Sequence, residues 1–122
     1  MGSSLVSVVD DDPSVRDSTD ALLRSAGYQV AVFESGEQFL ESARMRETAC
    51  LVLDIQMAGM DGWELQDRLN VSECGIPIVF ISGHPESGIR NRAIERGAHA
   101  FLAKPFAPND FLDAVDGAVK WK

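Results

Sequence analysis

Val6-Ser7-Val8-Val9-Asp10-Asp11 is a short apolar run that ends in two carboxylates, and three further runs along the chain repeat that design. Leu51-Val52-Leu53 leads into Asp54, Ile78-Val79-Phe80-Ile81 into Ser82, and Ala100-Phe101-Leu102-Ala103 into Lys104. If the four runs are parallel strands of one sheet, their polar ends emerge together at the carboxyl edge, where open α/β sheets bind ligands. One site then holds three carboxylates, a hydroxyl and an ammonium.

The segments between the runs support that assembly. Strand-like and helix-like stretches alternate five times, a pattern that selects a parallel sheet covered by helices over a bundle or sandwich. The first helix is predicted to take Asp12 as N-cap and Pro13 as its first residue, to bury Val15, Thr19, Leu22, Leu23 and Ala26, and to end at Gly27. A second strand, Tyr28 to Phe33, precedes Ser35-Gly36-Glu37-Gln38, whose Ser and Gln have capping-box spacing ahead of Phe39, Leu40 and Ala43. The third helix starts near Asp61 and carries Trp63, Leu65 and Leu69, and the fourth follows Pro85 and ends at Gly97. The fifth begins at Pro108 and presents Phe111, Leu112, Val115 and Val119. Short loops and right-handed crossovers make a doubly wound α/β sheet the natural product.

Three carboxylates at close range repel one another, so at least one resists ionising unless a cation is present. Mg2+ suits the set: it takes oxygen ligands, retains waters and binds through one or two carboxylates together with phosphate oxygens. Lys104 offers a point charge for a phosphate oxygen and Ser82 a hydrogen-bond donor. Asp54 is then the nucleophile, since carboxylate attack on a phosphoryl group yields an aspartyl phosphate. The catalytic work is positioning and charge neutralisation.

In order, spacing and residue type these residues resemble the receiver domains of two-component response regulators. The likeness runs from Val6–Asp11 through Leu53-Asp54-Ile55-Gln56-Met57-Ala58-Gly59-Met60-Asp61-Gly62 and Ile81-Ser82-Gly83-His84 to Lys104-Pro105-Phe106, essentially the whole chain. It implies a flavodoxin-like, CheY-like sheet of five parallel strands in the order 2-1-3-4-5 with five helices, the switch point falling between the strands that carry Asp10-Asp11 and Asp54. It implies that Asp54 accepts a phosphoryl group from the phosphohistidine of a sensor histidine kinase. Asp11 would bind Mg2+ directly, Asp10 mainly through water, and the backbone carbonyl of Gln56 would be a third protein ligand. Ser82 and Lys104 would contact the phosphoryl group, with Ser82 and Phe101 as the switch pair and Gln56 and His84 as residues that tune its lifetime. The Lys104-Pro105 bond is often cis in such domains. Gly83-His84 looks most like the FixJ-type transcriptional regulators. The resemblance further implies a phosphorylation-promoted homodimer through the face of the fourth helix and fifth strand.

Departures from the family pattern matter too. Ser82 stands where Thr is also common, which keeps the hydroxyl and loses a methyl. Ala58 replaces the usual Pro after the phosphorylated Asp, so a ring that fixes φ is missing and the loop is expected to be less rigid. Asp12 lengthens the acidic pair to three, most simply as a helix cap. An Asp-nucleophile phosphatase resembling the haloacid-dehalogenase group would need a second Asp where Gln56 stands. A flavin module would need a Ser/Thr/Gly-rich phosphate loop where this chain has carboxylates. A degenerate receiver used only for protein interaction is the remaining alternative. The expected activity is that of a switch that catalyses its own phosphoryl transfer and hydrolysis, with no turnover of external substrates.

Composition sets the outer bounds. A chain of 122 residues with 45% hydrophobic content fits one domain, 1–122, with a real core and no room for an output domain, which would lie in a longer protein. A net charge of -8 argues against direct nucleic-acid binding, because such modules are basic over their contact face. Cys50 and Cys74 form no metal-type or redox-type pair and read as thiols of a reducing compartment. No apolar stretch reaches membrane-spanning length and no leader precedes the first strand, so the cytoplasm is the expected location. His99 reads as structural, and Trp63 and Trp121 as packing aromatics.

Overall fold

The computed structural model describes residues 4–84 and 88–120. Pro85, expected to precede the fourth helix, and Trp121 lie outside them. In chain order the elements are β1 (Leu5–Val9), α1 (Pro13–Ser25), β2 (Gln29–Phe33), α2 (Gly36–Glu41), a 3-10 turn (Met45–Glu47), β3 (Thr48–Asp54), α3 (Gly62–Val71), β4 (Ile78–Ser82), α4 (Ile89–Glu95), β5 (Ala100–Ala103) and α5 (Pro108–Lys120). All strand pairs are parallel and the sheet order is β2-β1-β3-β4-β5, as the resemblance implied.

Side chains alternate across the central strands and so build two cores. On one face Leu51, Leu53, Ile78, Phe80 and Phe101 pack with Phe39, Leu65, Leu69 and Ala93 from α2, α3 and α4. On the other, Val6, Val8, Val52, Val79 and Ile81 pack with Leu23, Phe111, Val115 and Ala118 from α1 and α5. Burial on both faces explains why these strands read as unbroken apolar runs. Ser7, the polar exception in β1, is fully buried and its hydroxyl meets that of Thr48 at 2.8 Å. Thr48 gives its own proton to the Arg44 carbonyl at 3.1 Å, so Ser7 is the donor of the pair.

The caps follow the sequence closely. The Asp12 carboxylate accepts from the Ser14 N–H at 2.9 Å and the Ser14 hydroxyl at 2.8 Å. Ser35 accepts from the Gln38 N–H at 3.2 Å, while the Gln38 side chain accepts from the Glu34 N–H at 3.0 Å, one residue before the cap. Asp61 caps α3 through the Glu64 N–H at 2.9 Å.

One expected core position is wrong: Ala26 is exposed because α1 closes at Ser25. The second helix is shorter than expected, since α2 stops at Glu41 and a 3-10 turn follows, which leaves Ala43 beyond it. Strand β3 starts at Thr48, three residues before Leu51, because Thr48 pairs with Leu5 and the register shifts before Cys50 meets Val6.

Helix α4 is tied to α3 by the Arg96 side chain, which donates to Gln66 at 2.7 Å, the Trp63 carbonyl at 3.0 Å and Asp67 at 2.6 Å. Trp63 packs on Phe80 with ring centroids 5.0 Å apart and lies under the Arg92 guanidinium at 4.5 Å, a packing aromatic as expected. The entry to α3 depends on Gly62. Its N–H donates to the Ile55 carbonyl at 2.9 Å, and a Cβ there would stand 2.6 Å from the Asp54 carbonyl oxygen and 2.9 Å from the Ile55 Cα. Both obstacles are backbone, so neither can swing aside. Gly62→Ala is expected to destabilise the fold by about 1–3 kcal/mol, read in urea unfolding as a lower midpoint with an unchanged slope. An unchanged midpoint would show that the loop after β3 yields freely.

Candidate functional site

Strand register brings the polar ends together in a staircase. Val9 pairs with Leu53, so Asp10 is level with Asp54; Asp54 pairs with Ile81 and Ser82 with Ala103, so Ser82 and Lys104 each lie one residue further out. Each polar end is fixed by one more ladder bond: Asp10 N–H to Phe33 O at 3.2 Å, Ile55 N–H to Ile81 O at 3.0 Å, and Lys104 N–H to Ser82 O at 2.8 Å. The Lys104–Pro105 peptide is cis. Asp11, Asp12, Asp54, Gln56, Gly83, His84 and Lys104 line a cleft of about 260 Å³ at this edge.

Asp10 is completely buried. Its carboxylate accepts from the Lys104 ammonium at 2.8 Å and the Asp12 N–H at 2.9 Å, and its carbonyl accepts from Arg16 at 2.8 Å. Asp54, 3% exposed, accepts from the Gln56 N–H at 3.3 Å and lies 3.5 Å from the Lys104 ammonium. Asp11 is exposed and accepts from the Ala58 N–H at 3.2 Å. Proline at position 58 could not make that bond. The replacement of the usual Pro thus adds a donor to the acidic cluster as well as removing a ring.

One carboxylate oxygen from each of Asp10, Asp11 and Asp54 falls within 4.8 Å of the others. Burial pushes the Asp54 carboxyl up to about 7; the Asp10 charge adds to the rise and Lys104 opposes it. Burial by itself would lower the Lys104 ammonium, but its bond to Asp10 and the Asp54 and Asp10 charges hold it above its ordinary value. Hydrogen bonds from Ser14 lower the Asp12 carboxyl, in keeping with a capping role. One ammonium therefore faces three carboxylates, a deficit of positive charge that an oxygen-loving divalent cation fits.

The remaining candidates take separate places. The Ser82 hydroxyl, fully buried, donates to the Gln56 side-chain carbonyl at 2.7 Å and accepts from the His84 N–H at 3.1 Å. His84 thus enters the site through its backbone. Phe101 is 4% exposed, with the Arg90 guanidinium 5.0 Å from its ring centroid. The Gln56 bond to Ser82 spans 26 residues and the Ala58 bond to Asp11 spans 47, so neither leaves a local signal in sequence.

Fold and site together define a receiver domain. The response regulator receiver domain family matches residues 6–116, and the chain belongs to that family, the phospho-accepting module of two-component systems. Nodulation protein W of Bradyrhizobium diazoefficiens is 41% identical over 117 residues, 96% of this chain and 52% of that protein. The transcriptional regulatory protein FixJ of the same species is 34% identical over 113 residues, 93% of this chain and 55% of that protein. The chain spans about half the length of these curated relatives. The crystal structure of the FixJ N-terminal domain superposes with a TM-score of 0.87 at 31% identity, covering 100% of this chain and 98% of that one. The response regulator StyR gives a TM-score of 0.87 at 47% identity over 95% of this chain and 59% of that one. Among the described residues, no helix is long and apolar enough to cross a membrane.

The raised Asp54 carboxyl sets a pH dependence. Against an ordinary value of 3.8, the folded protein keeps between about pH 4 and pH 7 a proton that the unfolded chain has released. Metal-free stability therefore falls as pH rises through that window, and the loss is complete above it. Asp54→Asn is expected to raise the metal-free melting temperature at pH 8 by several degrees and to remove most of that fall. Thermal melts with the same pH profile for both proteins would show that the Asp54 charge carries no such cost.

Proposed function

We propose that Asp54 is the phospho-acceptor and that a partner sensor histidine kinase supplies the phosphoryl group from a phosphohistidine. The arrangement of Asp54 beside Lys104, level with Asp10 at the foot of a cleft sized for a small anion, carries this reading. An Asp54 oxygen forms the new P–O bond as the donor's P–N bond breaks. Lys104, already shared between Asp10 and Asp54, meets the charge on the transferring oxygens. Ser82 turns its hydroxyl toward the phosphoryl group, and Phe101 rearranges behind it.

Asp10, Asp11 and Asp54, with the backbone carbonyl of Gln56, would hold Mg2+. When bound, the ion supplies the positive charge that Lys104 alone does not, neutralising phosphoryl oxygens in transfer and in later hydrolysis. The Asp10 side chain, bonded to Lys104 and the Asp12 N–H, is suited to acting through water, and the exposed Asp11 to direct ligation.

A phosphorylated Asp54 adds nearly two negative charges and strong acceptors at the sheet edge. That change would re-shape the α4–β5 face and promote a homodimer through it. Since TdiR of Thauera aromatica and FixJ are transcriptional regulatory proteins, control of transcription by a segment outside these residues is the output we favour. Location in the cytoplasm follows from the same reading.

Intact mass after incubation with acetyl phosphate is the test. Wild type is expected to gain a single phosphoryl adduct only with Mg2+ and to sediment as a dimer once modified, while Asp54→Asn gains none. An adduct that survives Asp54→Asn would move the acceptor elsewhere, and a fully modified monomer would remove the dimer.

A further inference from the structure

Among the described residues, Gln56 hydrogen-bonds both Asp54 and Ser82. Its N–H donates to an Asp54 carboxylate oxygen at 3.3 Å, and its side-chain carbonyl accepts the Ser82 hydroxyl at 2.7 Å. A serine hydroxyl has one proton and two lone pairs. Here the proton is committed to Gln56 and a lone pair takes the His84 N–H at 3.1 Å. The hydroxyl cannot donate to a phosphoryl oxygen while it donates to Gln56.

We propose that the Gln56 side chain is a positioning residue that holds Ser82 in the unphosphorylated arrangement, so that phosphorylation must displace it. The inference rests on the functional reading above and adds a restraint to it. Burial gives the bond weight: Ser82 is 0% exposed, and a buried donor left without an acceptor loses its hydration as well as its bond. Ser82 therefore leaves Gln56 only when another acceptor is offered, and the phosphoryl oxygens are that acceptor. The identity of the residue strengthens the case. A threonine's branched Cβ restricts χ1 by sterics, whereas a serine's rotamer is set by whatever its hydroxyl bonds. With Ser at 82, the choice between the two arrangements falls to the acceptors, and Gln56 is the one present before phosphorylation.

The energetic consequence is a population shift. An interaction made in one state alone weakens any ligand that selects the other state by the same factor. A neutral hydrogen bond of this kind corresponds to about fivefold in affinity. Gln56→Met removes the acceptor, keeps the side-chain length and leaves in place the backbone N–H to Asp54 and the backbone carbonyl. Gln56 is exposed, so the change should not threaten folding, and Gln56→Ala provides a second variant of the same logic.

The experiment is a calorimetric titration of beryllofluoride, a phosphoryl-like anion that attaches to carboxylate oxygen, in saturating Mg2+. Wild type, Gln56→Met, Gln56→Ala, Ser82→Ala and Gln56→Met with Ser82→Ala form the set, and the His84 amide resonance of each ligand-free protein is the second readout. Both Gln56 variants are expected to bind about fivefold more tightly than wild type and to shift the His84 amide, because the Ser82 oxygen it bonds is released. In the Ser82→Ala background the Gln56 change should have no effect on affinity. Equal or weaker binding by both Gln56 variants, or an unmoved His84 amide, would overturn the restraint. So would the same gain without Ser82, which would mean that Gln56 acts on the anion directly. Failure of wild type to bind beryllofluoride at all would instead overturn the functional reading, and the restraint with it.

Discussion

Asp10 and Asp54 lie side by side out of water at the end of two adjacent strands, with the Lys104 ammonium bonded to one and 3.5 Å from the other. Charges in such a place interact far more strongly than on a surface, and a repulsion there cannot be relieved by solvent. The rest of the molecule is arranged to hold them there. Parallel pairing puts the strand ends at one edge, the extra ladder bonds fix their backbones, and the absence of a side chain at Gly62 lets α3 start directly against the Asp54 and Ile55 backbone. The site is thus strained by charge before any ligand arrives, and both ligands of the proposed reading, a hard cation and then a phosphoryl group on Asp54, would relieve that strain.

The same geometry bears on the proposed switch. Ser82 closes β4 and Phe101 lies in the neighbouring β5, so in the proposed reading a group on Asp54 would reach the α4–β5 face through the Ser82 hydroxyl. Gln56 and the His84 N–H both bond the Ser82 hydroxyl, and Arg90 lies over the Phe101 ring. Arg96, bonded to Gln66, Trp63 and Asp67, anchors the far end of α4 to α3.

Much of this was legible in the sequence because its causes are local. A strand buried on both faces has to be a continuous apolar run, and a polar residue at its end is a visible break, so Asp10, Asp54, Ser82 and Lys104 announced themselves. Caps are local too: Asp12, Ser35 and Asp61 each accept from an N–H two or three residues on. What escaped depends on chain segments far apart. The early start of β3 at Thr48 is set by pairing with β1, and the short α2 by the 3-10 turn that replaces its next residues. Ala58 looked like the loss of a ring, and only its approach to Asp11 reveals the gain of a donor. The Gln56 side chain carried no sign of its partner in the sequence around it.

The most direct measurement is calorimetric titration of Mg2+ into the unphosphorylated protein across pH 5 to pH 8, repeated on Asp11→Asn. An exposed residue can be replaced there without disturbing the core. If the acidic cluster is short of positive charge, wild type should show a single saturable site. Because burial holds the Asp54 carboxyl at about 7, binding near pH 6 should release protons and tighten as pH rises. Asp11→Asn should lose most of that affinity. Binding that is absent, unsaturable, or indifferent to both pH and Asp11 would contradict the charge deficit on which the whole account rests.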